Sequence, residues 1–145
     1  MSVLAALLLG AAEYRDLKPE IDCPQLVALR DAATDPSAFA ALLAAGGAPK
    51  VSPLYCTTSG IGTWWCTMSL APDGVRRDSL AEAITACLPD AVVRRGAGEG
   101  WRLGPTVIRS GALQVEIEQS GSPAHHVGVS VEVMFSIAGS PTTGN

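Results

Sequence analysis

The sequence predicts an α+β fold: a two-layer sandwich in which an antiparallel sheet of about four strands is covered on one face by two to three helices. Three observations favour this fold. The first third of the chain has apolar residues at helical spacing, the remainder alternates apolar and polar residues, and short turns separate the last strands. The expected order of elements is α-α-β-α-β-β-β.

Two helices are predicted before residue 46. Pro24 follows Cys23 directly and suits the first turn of a helix, because its missing N–H has no helical partner there. Asp35 and Pro36 mark a second start, since an aspartate accepts hydrogen bonds from the first free N–H groups. The second helix is expected to end near Ala45, before two glycines.

A strand is predicted at 63–70, where the apolar period changes to two. Trp64 and Cys66 share one face of this strand, so that Trp65 points to the other. An outward tryptophan can anchor a ligand or a partner protein, or it can pack under another segment. Trp65 is therefore a candidate binding residue.

The segment 48–62 is predicted to be mostly loop, with a short extended piece at 54–57. Its glycine-rich turn, Ser59-Gly60-Ile61-Gly62, precedes a strand, whereas a phosphate cradle precedes a helix. Phosphate binding is therefore excluded. Ser59 and Ile61 are instead candidate contacts for a protein partner that binds beside Trp65.

A third helix is expected at 79–88, where Ser79 and Glu82 resemble a capping box and Ile84 and Cys87 belong to one apolar stripe. It follows a turn at 72–74. Three strands complete the chain and are expected to form a meander, with one face apolar and the other wet. Their predicted ranges are 101–109, 113–118 and 127–137.

The wet face carries Glu116, Glu118 and Glu132. Carboxylates on an exposed sheet face ordinarily make a protein soluble, although a pair of them can also perform acid/base chemistry when burial raises a pKa. His125 and His126 are adjacent at the start of a strand and point to opposite faces, so they are poorly placed to bind one ion. No cofactor and no metal site is predicted.

Four cysteines, Cys23, Cys56, Cys66 and Cys87, predict two structural disulfides. Three pairings are possible. We favour Cys66–Cys87, because both side chains are expected between the layers, which leaves Cys23–Cys56. A zinc site would need closer spacings such as C-x-x-C, and an even number of cysteines argues against a free catalytic thiol.

The N-terminus, MSVLAALLLGAA, has the apolar run and small residues of a signal peptide but lacks its basic start. We interpret 1–12 as a signal-peptide remnant, 13–138 as a single domain and 139–145 as a flexible tail. A buried N-terminal helix is the alternative. The apolar run is too short for a membrane span, which needs roughly 20 residues.

The net charge of −4 and the scattered basic residues argue against nucleic-acid binding. Six of the ten Lys and Arg residues do lie between Arg76 and Arg109, which is typical of solvated loops or of a strip that binds an anion or a partner. The sequence resembles no named family.

The favoured function is a noncatalytic interaction domain, secreted or periplasmic, whose partner is a protein of the cell envelope or outside the cell. An inhibitor, an immunity-type partner or an accessory envelope protein fits this class. Two alternatives stay open: a small hydrolase whose acid/base groups converge only in three dimensions, and a cytosolic protein with four free thiols.

Overall fold

The computed structural model describes residues 18–59, 62–69, 77–100, 102–122 and 127–139. The signal-like segment, the turn at 72–74, Ile61, both histidines and the tail from residue 140 lie outside these ranges. The elements, in chain order, are β1 (Glu20–Ile21), α1 (Cys23–Ala32), α2 (Pro36–Ala44), β2 (Val51–Ser52), β3 (Tyr55–Thr58), β4 (Trp64–Ser69), α3 (Arg77–Cys87), β5 (Val92–Arg95), β6 (Arg102–Ser110), β7 (Leu113–Ser122) and β8 (Val127–Ile137).

The main sheet is antiparallel and has six strands in the order β3-β4-β8-β7-β6-β5, while β1 and β2 pair separately. The fold class is therefore α+β, as the sequence predicts, but the sheet is wider than the expected four strands. The two additional strands are β3 and β5. In β5 the residues run Val-Val-Arg-Arg, without the period-two alternation that identifies a half-buried strand.

Both predicted N-terminal helix starts are confirmed. The Asp22 carboxylate accepts a hydrogen bond from the N–H of Gln25 at 2.9 Å, and Asp35 accepts one from Ser37 at 3.0 Å. The capping box predicted at Ser79 is wrong, since α3 begins at Arg77. The Arg77 N–H donates instead to the side-chain oxygen of Gln119 on β7, at 2.8 Å. A tertiary contact thus satisfies this helix terminus where a local cap was expected.

The hydrophobic core combines side chains from the helices with side chains from one face of the sheet. Along β7 and β8 buried residues alternate with partly exposed ones, as the sequence pattern predicts. The helices contribute an apolar stripe to the same hydrophobic cluster. Its most deeply buried members include Leu26, Leu29, Leu80, Ile84, Leu88, Ile108, Val115, Ile117, Val133 and Phe135.

The two disulfides are confirmed, but the favoured pairing is wrong: the bonds are Cys23–Cys87 and Cys56–Cys66. Cys56 and Cys66 are direct register partners on β3 and β4, with Cα atoms 4.0 Å apart. The sequence predicts a short extended piece at 54–57 but assigns it no strand partner, and so misses that a hairpin brings Cys56 beside Cys66. Cys87, at the end of α3, then bonds to Cys23 at the start of α1.

The two bonds should differ in their contribution to stability. Cys23–Cys87 joins residues that are 64 positions apart in the sequence, and Cys56–Cys66 joins residues that are 10 apart. The chain-entropy relation gives a stabilisation of about 4 kcal/mol for the first bond and about 3 kcal/mol for the second. We expect C23A/C87A to lower the free energy of unfolding in urea more than C56A/C66A does. Peptide mapping of the unreduced protein checks the pairing itself, and a Cys66–Cys87 peptide would contradict the structure.

A second prediction tests the assignment of β8 side chains to the two faces. Phe135 is fully buried whereas its neighbour Met134 is partly exposed. Phe135→Ala should cost about 3–5 kcal/mol in urea unfolding, because it leaves a cavity. Met134→Ala should cost about 1 kcal/mol. Equal losses would contradict the burial pattern.

Candidate functional site

Trp65 lies on the outer face of the sheet, by which we mean the face opposite the buried side chains. The register pairs it with Thr57 on β3 and with Met134 on β8. The preceding tryptophan belongs to the other face: the Trp64 indole packs against the core and donates its N–H to the Pro49 carbonyl at 2.6 Å. The alternation predicted from the sequence therefore separates the two rings.

A second aromatic ring stands close to Trp65. Tyr55 pairs with Thr67, two residues along β4, so that Tyr55 is a diagonal neighbour of Trp65 on the same face. Its side chain is 71% exposed. Sequence reasoning missed Tyr55 because residue 55 was assigned to a short extended piece without a strand partner. The four residues of β3, Tyr-Cys-Thr-Thr, show no regular alternation that assigns Tyr55 to a face.

We define the outer patch as Tyr55, Trp65, Thr67, Glu132 and Met134. All five belong to three adjacent strands, β3, β4 and β8, and their register pairs are Tyr55 with Thr67, Thr67 with Glu132, and Trp65 with Met134. Except for Tyr55, each is partly buried by its neighbours. The patch therefore contains large apolar side chains that are partly fixed by their neighbours. Polar side chains lie at its margin.

Two further carboxylates border this patch on β7. Glu118 stands directly opposite Glu132, and Glu116 stands opposite Met134. Burial raises the pKa of Glu116 above its ordinary value of 4.5, and the negative charge of Glu118 raises it further. The acidic wet face predicted from the sequence is thus assembled next to Trp65. The negative charge of this face favours a binding partner with cationic groups on its contact surface.

Ser59 closes the turn between β3 and β4. Its N–H donates to the Thr63 carbonyl at 2.8 Å, and its hydroxyl accepts the Thr63 N–H at 3.2 Å and shares a hydrogen bond with the Thr63 hydroxyl. These contacts give Ser59 a structural role in the hairpin. Ile61 lies outside the described residues, so the binding role suggested for this loop stays a prediction.

A separate groove lies at the other end of the outer face. It encloses a cavity of about 300 Å³ along β5 and β6. The lining combines apolar and cationic side chains: Val92, Arg94, Arg95, Gly96, Pro105, Val107 and Arg109. The sequence indicated a basic strip between residues 76 and 109, and the pairing of β5 with β6 brings three of its arginines together, Arg94, Arg95 and Arg109. This convergence could not be read from the sequence while β5 was unassigned.

The described residues contain no group of three histidine, cysteine or carboxylate side chains arranged to hold a metal ion. All four cysteines are in disulfides, and so are not free nucleophiles. In the same part of the chain, no helix is both long and apolar enough to cross a membrane. His125 and His126 lie outside it.

Comparison with known proteins gives no relative: no family model, no curated protein and no solved structure matches this chain. The functional argument therefore depends on the geometry of the described residues.

The raised pKa of Glu116 makes stability depend on pH. Its neutral form is favoured in the folded protein, so its contribution is fully present below pH 4.5 and is lost as the pH rises through the raised value. We expect Glu116→Gln to raise the free energy of unfolding relative to wild type at pH 7 and to change it little below pH 4.5. Urea unfolding at several pH values measures this difference.

The control for net charge is Glu82→Gln, on the exposed side of α3. A Glu116→Gln variant that is less stable than wild type at pH 7 would contradict the direction given for Glu116.

Proposed function

We propose that this protein is a noncatalytic interaction domain that binds a protein partner through the outer patch. The observation that supports this proposal is the register of β3, β4 and β8, which sets Met134 directly opposite Trp65 and Tyr55 diagonally across from it on the same face. Tyrosine and tryptophan, together with arginine, are enriched among the residues that dominate binding energy. Their adjacency on regular strands is what a preorganised contact surface requires.

The energetic argument concerns the ordering of side chains. An exposed, mobile side chain loses conformational freedom when a partner immobilises it, which costs roughly 0.5–1.5 kcal/mol. Trp65 and Met134 are already partly buried by their strand neighbours, so this cost is reduced. Tyr55 keeps most of its surface available for contact. A partner that covers the patch therefore gains apolar burial at a small entropic cost.

The charges around the patch restrict the partner. Glu116, Glu118 and Glu132 form a carboxylate margin on one side of Trp65. A partner surface with an apolar centre and lysine or arginine at its rim is complementary to this arrangement. An acidic partner would meet like charges and an unfavourable approach.

The proposal also includes export and the layer arrangement. Disulfides persist in oxidising compartments, and two of them in a chain of 145 residues favour a secreted or periplasmic protein. The signal-like sequence of residues 1–12 agrees with this location. We further propose that the helices and the six-stranded sheet form two layers, which leaves the outer face for a partner of the cell envelope or the extracellular space.

The test is affinity capture from the exported fraction of the native host, with wild-type protein, Tyr55→Ala and Trp65→Ala as baits. A loss of about 2 kcal/mol at an aromatic anchor corresponds to roughly 30-fold weaker binding. We expect the captured partner to bind both variants at least that much more weakly, as measured by calorimetry with the purified pair. Urea unfolding confirms that each variant is folded.

The matched control is Val92→Ser, which removes an exposed apolar side chain at the far edge of the same sheet. It should leave partner affinity unchanged. Binding that survives Trp65→Ala and is lost on Val92→Ser would contradict the assignment of the partner to the outer patch.

A further inference from the structure

Strand β5 forms one open edge of the six-stranded sheet. All four of its residues are exposed. Two of them, Val92 and Val93, are large apolar side chains with 64% and 41% of their surface exposed. The other two, Arg94 and Arg95, are cationic. The unpaired backbone N–H and C=O groups of an edge strand are a template for pairing with another strand, and exposed apolar side chains favour that pairing.

The direction of the backbone groups follows from one hydrogen bond. The Gly96 N–H donates to the Pro105 carbonyl at 2.7 Å, so residues at even positions of β5 exchange hydrogen bonds with β6. Val93 and Arg95 then direct their N–H and C=O groups away from β6. Since β5 is the last strand in the sheet order, these groups face the open edge.

The charges at this edge are only partly compensated. Arg95 lies 3.9 Å from the Asp78 carboxylate, an exposed contact of small energetic value. Arg109 hydrogen-bonds to Gln114, a neutral side chain. Arg94 has no carboxylate partner among the described residues. A protein with a net charge of −4 therefore presents a local excess of positive charge here.

We propose that β5 binds an acidic peptide segment of a partner protein in extended conformation, by addition of a strand to the open edge. Backbone hydrogen bonds to Val93 and Arg95 supply the pairing. The arginines attract carboxylates, and the groove beside Val92 and Val107 receives an apolar side chain. This site is distinct from the outer patch, which favours a basic partner.

The order of residues along β5 predicts the order along the peptide. An antiparallel strand meets Arg95, Arg94, Val93 and Val92 in turn, so its complementary sequence is acidic, acidic, apolar, apolar. The probe is the blocked peptide Thr-Thr-Glu-Glu-Val-Val-Thr-Thr, and the control replaces both glutamates with lysines. Amide chemical shifts of the full-length protein report where each peptide binds.

We expect the acidic peptide to shift the amides of β5 and β6, and the lysine peptide to shift none of them. Arg94→Glu should weaken binding about tenfold at low salt, because it replaces attraction with repulsion. Lys50→Glu makes the same charge change at an exposed position on another part of the chain and should leave the affinity unchanged. Trp65→Ala should also leave it unchanged, which separates this result from the outer-patch proposal.

The backbone contribution is tested by Val93→Pro against Val93→Thr. Proline removes an N–H that points to the open edge, so the pairing of β5 with β6 is retained, and proline is tolerated at such edge positions. We expect Val93→Pro to abolish peptide binding and Val93→Thr to retain it. The β6 amide shifts of the free protein verify that the sheet is intact.

Three results of the peptide titrations would overturn the proposal. The first is the absence of any amide shift at about 1 mM peptide, a concentration that detects even millimolar binding. The second is equal binding of the acidic and lysine peptides. The third is peptide binding that survives Val93→Pro. A concentration-dependent dimer that Val93→Pro abolishes would assign the edge to a second copy of the chain and would contradict an acidic peptide as its occupant.

Discussion

The arrangement of this protein depends on the pairing of β8 with β4 on one side and β7 on the other. β8 comes last in the chain but lies in the middle of the sheet, so its hydrogen bonds join the β3–β4 hairpin to the β5–β7 strands. Because side chains alternate along a strand, a shift of one residue in this pairing would exchange the two faces. Trp65 and Met134 would no longer share a face under such a shift.

The disulfides stabilise elements that do not pair with β8, namely β3 and the helices α1 and α3. Cys56–Cys66 holds the β3–β4 hairpin in register, and with it the relation of Tyr55 to Trp65. Cys23–Cys87 fastens the start of α1 to the end of α3, so the first helix cannot separate from the third. Cys56–Cys66 thus stabilises the β3–β4 hairpin, and Cys23–Cys87 stabilises the connection between α1 and α3.

Local signals in the sequence were sufficient where the structure is decided locally. Asp35 and Pro36 predict a helix start because capping involves neighbouring residues, and the alternation in β7 and β8 predicts which side chains are buried. Long-range pairing was not accessible in this way. The residues of β5 do not alternate between apolar and polar types. The N–H of Arg77 at the start of α3 donates to Gln119, which is distant in the sequence. The disulfide pairing depends on the β3–β4 hairpin, which the residues of β3 identify only weakly. The candidate surfaces were correspondingly incomplete: Trp65 was found from its strand period, whereas Tyr55 and the basic groove required the register.

The outer face consequently carries two surfaces of opposite charge, an aromatic patch bordered by carboxylates and an edge strand bordered by arginines. The aromatic patch depends on the β4–β8 register, which nuclear Overhauser effects between α protons measure directly. The Cα atoms of Cys56 and Cys66 are only 4.0 Å apart, which marks a non-hydrogen-bonded pair, so Trp65 hydrogen-bonds to β3. Its pair with Met134 on β8 is then non-hydrogen-bonded, and the chains approach most closely there. The structure predicts a strong effect between the α protons of Trp65 and Met134 and another between those of Thr67 and Glu132. An effect between Trp65 and Val133 or Phe135 in place of Met134 would contradict the register, and with it the division of the sheet into a core face and an outer face.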